Sequence, residues 1–392
     1  MATLIVGYPY IRENYFSTLR YYPEKDKLFF LLPEEWKIKG GKVVYHPPKD
    51  KNVFTAKAYF YHSNYPVIGG LLKGWMPGYL GFLLREKRSK NIKVVVTLTE
   101  PILLTTLYQS FIAKIFGLKH FLFTWENIHY HDKFHGFNLL IKDLIIKLNL
   151  AFSDGIICGN KKAVEIFKDY TAKPIVNIPF AGIDTNFFMP ARKDKIFRGE
   201  NWNDRLLYSF VGAIEYRKGI HHIIEAFKKV KTELSNAHLL IAGTGEEGYE
   251  SAVEAKIKEE GLGEGITRVP WISHEELKDV FAMTDVFVYP SMAYKGWEEQ
   301  LGYLLMEASS AGQAIISTRS GSIDEVIINN RTGLLVKEDD SQELAQAMIT
   351  LGKDPSMREQ FGRAAREHII QNFDCRIIAG KFYQFLSRYD AR

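Results

Sequence analysis

Short apolar runs alternate with helix-period stretches along almost the whole chain, and that rhythm confines it to parallel α/β architecture. Runs at 3–7, 27–32, 93–98, 120–124, 155–158 and 175–178 read as strands in the first half. A second series follows at 206–212, 238–242, 267–269, 286–289, 314–317 and 333–336, and helical spacing fills the gaps, as in the amphipathic stretch 220–230. At 392 residues the chain is twice the size of a comfortable domain, so two consecutive doubly wound domains are expected. Ser273 with Glu276 forms a capping-box pattern, and Asp354-Pro355 puts proline at a first helical position. The polar stretch 190–205 reads as the interdomain linker, and three helical stretches without strands between them (342–351, 355–372, 375–389) close the chain.

Several classes drop out. Two distant cysteines, Cys158 and Cys375, fit a reducing compartment better than a disulfide framework. The first residues read directly as a strand, with no signal-peptide pattern, so a cytoplasmic protein is expected. The longest apolar tract, 65–84, is broken by Pro66, Lys73, Pro77 and its glycines and fails as a transmembrane helix. Charge is uneven: residues 1–190 hold 25 Lys+Arg against 15 Asp+Glu, net +10, and residues 191–392 hold 26 against 31, net −5. The basic half suits an anionic surface, whether lipid or nucleic acid.

Three segments carry candidate chemistry. Gly243-Thr-Gly-Glu-Glu-Gly248 matches the dinucleotide fingerprint GxGxxG. It follows the second strand of its series rather than the first, and no ribose-binding carboxylate ends the next strand. A tight glycine turn is therefore the better reading. Next, Gly212 ends a strand and Arg217-Lys218-Gly219 opens a helix, where backbone N–H groups, helix dipole and side-chain charge would all favour phosphate. A solvated basic turn is the competing reading. Third, Glu299 stands ahead of a helix and Glu307 on its second turn, in Glu299-Gln-Leu-Gly302-Tyr-Leu-Leu-Met-Glu307. An acid before a helix can bind sugar hydroxyls while the free N–H groups hold a diphosphate, and an acid within it can take a ribose diol.

With Pro290-Ser291 before it and Glu-Ala and a small-residue-Gly turn after it, this Glu-x7-Glu pattern resembles the retaining glycosyltransferases of family 4. Similar to that family are also 178–188, which contains Gly182-Ile-Asp184, then Arg217-Lys218-Gly219, Gly321-Ser-Ile-Asp-Glu325 and Asn330-Arg-Thr-Gly333. The resemblance implies a GT-B fold of two Rossmann-like domains facing across a cleft. An acceptor-binding domain would span 1–190 with a returning helix at about 374–392, and a donor-binding domain 191–373. It implies that a hexose moves from a nucleotide-diphosphate sugar to a glycan or lipid-linked acceptor. Lys218 would neutralise the diphosphate, Glu299 would contact the sugar and Glu307 would bind the ribose. The amides of Gln300, Leu301, Gly302 and Tyr303 would support phosphate, and the turns at Gly243, Trp271 and Ile272 would lie near the base. No metal, other cofactor or nucleic acid enters this picture.

The chain also departs from the family pattern. An arginine often found five residues before the lysine is Ala213 here, leaving Arg217 as the candidate to supply its charge, and 292–298 lengthen the loop before Glu299. In the first domain the acceptor side is assigned to Gly7, Asn14, His129 and His131. The position of the family's usual histidine aligns with Glu126, so Glu126, His129 or His131 fills that role. The cluster of His129, His131, His135 and Asp132 has loose spacing for a metal site. The apolar tract 66–84 with the basic run 85–90 is expected to rest on an anionic bilayer at the inner face of the cell membrane, a buried helix with a solvated end being the competing reading. A nucleotide-sugar epimerase or phosphorylase on the same architecture, or a catalytically silent nucleotide-sugar-binding subunit, stays open as an alternative.

Overall fold

The computed structural model describes residues 2–37, 44–62, 69–191 and 194–389. They form two compact units, Met1–Gly182 with Cys375–Arg392, and Ile183–Asp374.

The first unit is built on a seven-stranded sheet in the order Val53–Ala56, Leu28–Pro33, Ala2–Val6, Ile92–Thr97, Lys119–Thr124, Gly155–Cys158, Ile175–Asn177, with every pair parallel. Its central strands are apolar on both faces because both are covered, which is why they read as unbroken runs. Val53–Ala56 was not expected. It is a short edge strand that buries only Ala56, so its composition lacks the signal of its neighbours. On one face the helices Gly78–Glu86, Leu104–Ile115 and Gly136–Phe152 lie side by side: Tyr79 meets Tyr108 at 6.1 Å, and Phe111 meets Phe152 at 5.3 Å. Ser110 Oγ also donates to Asn149 Oδ1 at 3.0 Å. Consecutive right-handed crossovers stepping in one direction across a sheet produce this arrangement. The last helix, Cys375–Ser387, packs within this unit, with Phe385 against Phe121 at 5.0 Å and Tyr383 against Tyr22 at 5.5 Å.

Of the apolar tract 66–84, residues 66–68 lie outside the described residues. Its helical part, Gly78–Glu86, buries Tyr79, Phe82 and Leu83 and exposes Leu80 and Leu84. Among the described residues no helix is long and apolar enough to cross a membrane.

The second unit carries a six-stranded parallel sheet, in the order Ile266–Val269, Ala237–Ala242, Leu206–Val211, Val286–Tyr289, Ile315–Thr318, Leu334–Val336. The chain builds outward from Leu206–Val211 in one direction, then crosses back to Val286–Tyr289 and builds in the other. The two central strands therefore flank a topological switch point, where loops at their carboxyl ends part and leave a crevice. The expected plain linker is instead folded into an antiparallel hairpin, Ile196–Phe197 with Glu200–Asn201, followed by a buried Trp202. Lys195 from this segment pairs with Asp285, at the start of a central strand. Residues 192 and 193 lie outside the described set.

Candidate functional site

Two glycines set the backbone at the second unit's switch point. A Cβ on Gly243 would sit 1.9 Å from the carbonyl oxygen of Gly212, and φ is +139° there, so only glycine lets the two strand-end loops lie back to back. Ile214 then bridges Gly245 in parallel. The GxGxxG segment is thus a loop-packing device: nothing lies within 4 Å of a Cβ built on Gly248. Gly219, at φ +67°, ends the turn Tyr216–Lys218 and starts the helix Ile220–Glu233, and a Cβ there would fall 2.3 Å from the Pro290 carbonyl. That contact presses the Lys218 turn onto the loop following Val286–Tyr289.

The result is a buried polar constellation. Lys218, 6% exposed, donates to Glu299 Oε2 at 2.6 Å and to the Tyr289 hydroxyl. Ser291 Oγ donates to the same carboxylate oxygen at 3.1 Å, as does the Tyr289 hydroxyl at 3.3 Å. Burial pulls the Lys218 ammonium below its usual pKa, and Glu299 is the largest opposing influence. Burial also holds the Tyr289 phenol well above its usual range, so it stays a donor. Trp297, from the lengthened loop, stacks under the Arg217 guanidinium at 3.9 Å and lies 5.2 Å from the Lys218 nitrogen. Arg217 Nε pairs with Glu215 at 2.6 Å.

The second acid of the pair is in a different state. Glu307 sits on the helix Tyr303–Ser310, which opens at Gly302 directly after Gln300 and the buried Leu301. Desolvation pushes its carboxyl up to about 8, and among the described residues no hydrogen bond or ion pair reaches it. The residue is half-buried, so its carboxyl keeps some access for a ligand's hydroxyl donors. The turn after Ile266–Val269 exposes Trp271 and buries Ile272. The capping box that follows is complete: Ser273 Oγ accepts from Glu276 N at 3.1 Å, and Glu276 accepts from Ser273 N at 2.8 Å. Arg198, from the hairpin, donates to Glu276 and to the Trp271 carbonyl, fixing that turn from below.

In the first unit the switch point lies between Ala2–Val6 and Ile92–Thr97. Gly7 stands there, and a Cβ on it would meet Leu98 Cβ at 3.1 Å. Asn14 falls in the helix Glu13–Phe16, and its side chain is outside the described set. Glu126 is buried and accepts from the backbone N–H of Asn127 and Ile128 at 3.1 and 3.2 Å and from Lys133 at 2.5 Å. His129 faces Asp169 at 3.7 Å and Tyr170, and His131 faces Asp143 at 3.8 Å. Among the described residues no group of three or more His, Cys, Asp or Glu is placed to hold a metal. Sequence reasoning passed over Glu100. Its carboxylate accepts from Thr124 Oγ1 at 2.6 Å and from Trp125 N at 3.0 Å. Burial, then the nearby Glu126 charge, raise it to about 7. The signal was available, since Glu100 is an acid three residues beyond the central strand Ile92–Thr97 with its buried valine run at 94–96.

Residues 192–368 match the profile of the family described as Glycosyl transferases group 1. The match covers a little under half of the chain. The chain is 27% identical over 230 residues to an alpha-maltose-1-phosphate synthase of Mycolicibacterium smegmatis, which is 55% of this chain and 57% of that protein. It is 28% identical over 216 residues to the GDP-mannose-dependent alpha-(1-6)-phosphatidylinositol monomannoside mannosyltransferase of the same organism, 54% of this chain and 56% of the relative. The chain thus spans a little over half the length of the curated relatives it matches. In three dimensions it is similar to Anabaena Alr3699/HepE, solved in complex with UDP, with a TM-score of 0.75 and 17% identity over 99% of this chain and 100% of that one. The fold is GT-B, with two Rossmann-like domains. Within the group 1 stretch, Gly212, Lys218, Gly243 and Glu299 gather at the sheet's carboxyl edge around the switch point.

Proposed function

We propose that this chain is a retaining glycosyltransferase of the family 4 type, moving a hexose from a nucleotide-diphosphate sugar to a glycan or lipid-linked acceptor. The observation that carries the reading is the contrast within the Glu-x7-Glu pair. Glu299 is saturated by Lys218, Ser291 and Tyr289, while the half-buried Glu307, its carboxyl raised to about 8 by desolvation, has no side-chain partner among the described residues. A ribose diol supplies the two hydroxyl donors that Glu307 lacks. A diphosphate supplies the anionic charge that the buried Lys218 and the neighbouring Arg217 can neutralise, so the reading requires no metal. The relatives' names, a maltose-1-phosphate synthase and a GDP-mannose-dependent mannosyltransferase, support sugar transfer from an activated donor.

The chemistry follows from those positions. The bond between the anomeric carbon and the diphosphate breaks, and the acceptor oxygen attacks on the same face. The acceptor's proton passes to the leaving phosphate. Lys218 and the first-turn amides after Gly302 stabilise the charge that builds on that phosphate, which is where fixed dipoles and cations contribute most. Glu299, oriented by three donors, faces the cationic sugar. The first unit would hold the acceptor, and the chain would act in the cytoplasm at the inner face of the cell membrane. A thermal-shift screen with UDP-, GDP- and ADP-sugars, followed by release of the nucleoside diphosphate and NMR of the product's anomeric configuration, tests this. Ligand binding should raise the melting temperature by mass action. Turnover unchanged in both Lys218→Ala and Glu307→Ala would overturn it, as would an inverted product.

A further inference from the structure

The helix Gly136–Phe152 of the first unit is apolar on both sides. Its inner face buries Ile145, Ile146 and Leu150, yet Phe137, Leu140 and Leu144 are 77%, 67% and 58% exposed, with Ile141 and Leu148 also exposed. At 100° per residue these five outward residues fall within a stripe about 100° wide. The next helix in the layer, Leu104–Ile115, adds Phe111 and Ile115, and Gly78–Glu86 adds Leu80 and Leu84. Lys87 Nζ, donating to the Phe116 carbonyl, joins the end of one helix to the other. Exposed apolar side chains gathered on three neighbouring helices, beyond single scattered ones, mark an interaction site.

We propose that the outer face of these three helices is the surface by which the chain docks onto an anionic lipid bilayer. Charge selects this occupant. Residues 1–182 and 375–392 hold 29 Lys+Arg against 15 Asp+Glu, net +14, whereas 183–374 hold 22 against 31, net −9. The exposed Lys114 and Lys147, the latter paired with Asp143 at 3.1 Å, lie within the helical layer, and Arg85 and Arg88 at the end of Gly78–Glu86. Apolar side chains entering the acyl boundary beside cations at headgroup level is the arrangement that binds acidic membranes. A second copy is disfavoured, because a two-fold contact through this face would bring two net +14 units together. The surface deepens the reading of a lipid-linked acceptor and rests on it only for its purpose, since docking is measured without any transfer.

The test is flotation of the full chain with vesicles of phosphatidylcholine alone and of phosphatidylcholine mixed with phosphatidylglycerol. Wild type should float with the mixed vesicles. Combined Phe137→Gln, Leu140→Gln and Leu144→Gln should lower partitioning about 100-fold. Combined Lys114→Glu and Lys147→Glu should lower it about tenfold or more, with the loss shrinking in high salt. Both variants alter exposed side chains and should keep the wild-type melting temperature and nucleotide-sugar binding. Equal flotation of wild type and the triple Gln variant overturns the proposal, as does no flotation of wild type. So does sedimentation showing a dimer in solution that the triple Gln variant dissociates. A nucleotide sugar that fails to bind wild type in the thermal-shift screen would sink the transferase reading alone.

Discussion

The two sheets share a topology but treat their switch points differently. In the second unit the carboxyl edge gathers perturbed ionisable groups: Lys218 and Glu299 are buried as a pair, and the Glu307 carboxyl, raised to about 8, has no side-chain partner among the described residues. In the first unit the acids at the corresponding edge are tied into their own loops, Glu100 by Thr124 and Trp125, and Glu126 by Asn127, Ile128 and Lys133. The difference suggests a division of labour. An edge that sets an unpartnered carboxyl beside a buried ion pair suits one ligand of fixed shape. An edge whose polar groups are already satisfied leaves neutral surface for a ligand that varies.

The largest expected effect tests that contrast directly. Lys218→Ala should lower kcat/KM for the nucleotide-sugar donor by about a thousandfold, because it removes a cation from the developing diphosphate charge. It should also lower the melting temperature, since Glu299 would remain buried without its cation. Glu126→Gln, in the first unit, should lower kcat/KM by about tenfold or less and act mainly through loop stability. If the two variants lose activity equally in steady-state kinetics, the division of labour fails.

Glu307→Gln should separate affinity from stability. The folded carboxyl, raised to about 8, keeps a proton that the unfolded chain has already lost above the usual carboxylate range. Wild-type stability should therefore fall as pH rises from about 5 through 8. Glutamine has no such charge to bury, so the variant's melting temperature should match wild type near pH 5 and exceed it by several degrees above pH 8. Donor affinity should move the other way. On the proposed ribose role only the ionised carboxylate accepts from the diol, so wild-type binding should weaken about fivefold as pH drops from 8 to 7. The Gln variant should bind weakly at both. A donor dissociation constant independent of pH in wild type, measured by calorimetry, would remove Glu307 from the ribose role.

Glu100→Gln applies the same logic to the first unit with a smaller amplitude. Its folded carboxyl is raised to about 7, so wild-type stability should decline between about pH 5 and 7 and the variant's should not. Glutamine's amide oxygen can still accept from Thr124 or Trp125, so the gain at pH 8 should be about 1 kcal/mol. A variant less stable than wild type at pH 8 would show that the ionised form is the one this edge is built around.

These sites differ in how far they could be read from the chain. The central strands were legible because parallel sheets bury both faces and leave uninterrupted Val, Ile, Leu and Phe. Glu299 and Glu307 were legible as a spaced pair on a strand-loop-helix segment. That one is saturated and the other unpartnered was not, because this depends on Tyr289 and Lys218, 10 and 81 residues from Glu299. The edge strand Val53–Ala56 and the hairpin at Ile196–Phe197 carry too little buried surface to leave a pattern. The apolar outer face of Gly136–Phe152 was hidden for the opposite reason: a helix with apolar residues on two sides looks like a buried one until its neighbours are known.

The smallest effect bears on the most conspicuous motif. If the 243–248 glycines formed a dinucleotide site, the third would be needed for close helix packing. Here a Cβ on Gly248 meets nothing within 4 Å, and the residue lies in the first turn of the helix Glu247–Glu259. Gly248→Ala should therefore stabilise the protein by about 0.5 kcal/mol through helix propensity and leave donor binding unchanged. Gly243→Ala, by contrast, would drive a methyl into the Gly212 carbonyl and should unfold or severely distort the edge. Reduced nucleotide-sugar affinity in Gly248→Ala, with stability intact, would show that the second unit's edge reaches further along this loop than the Lys218 and Glu307 side of the crevice.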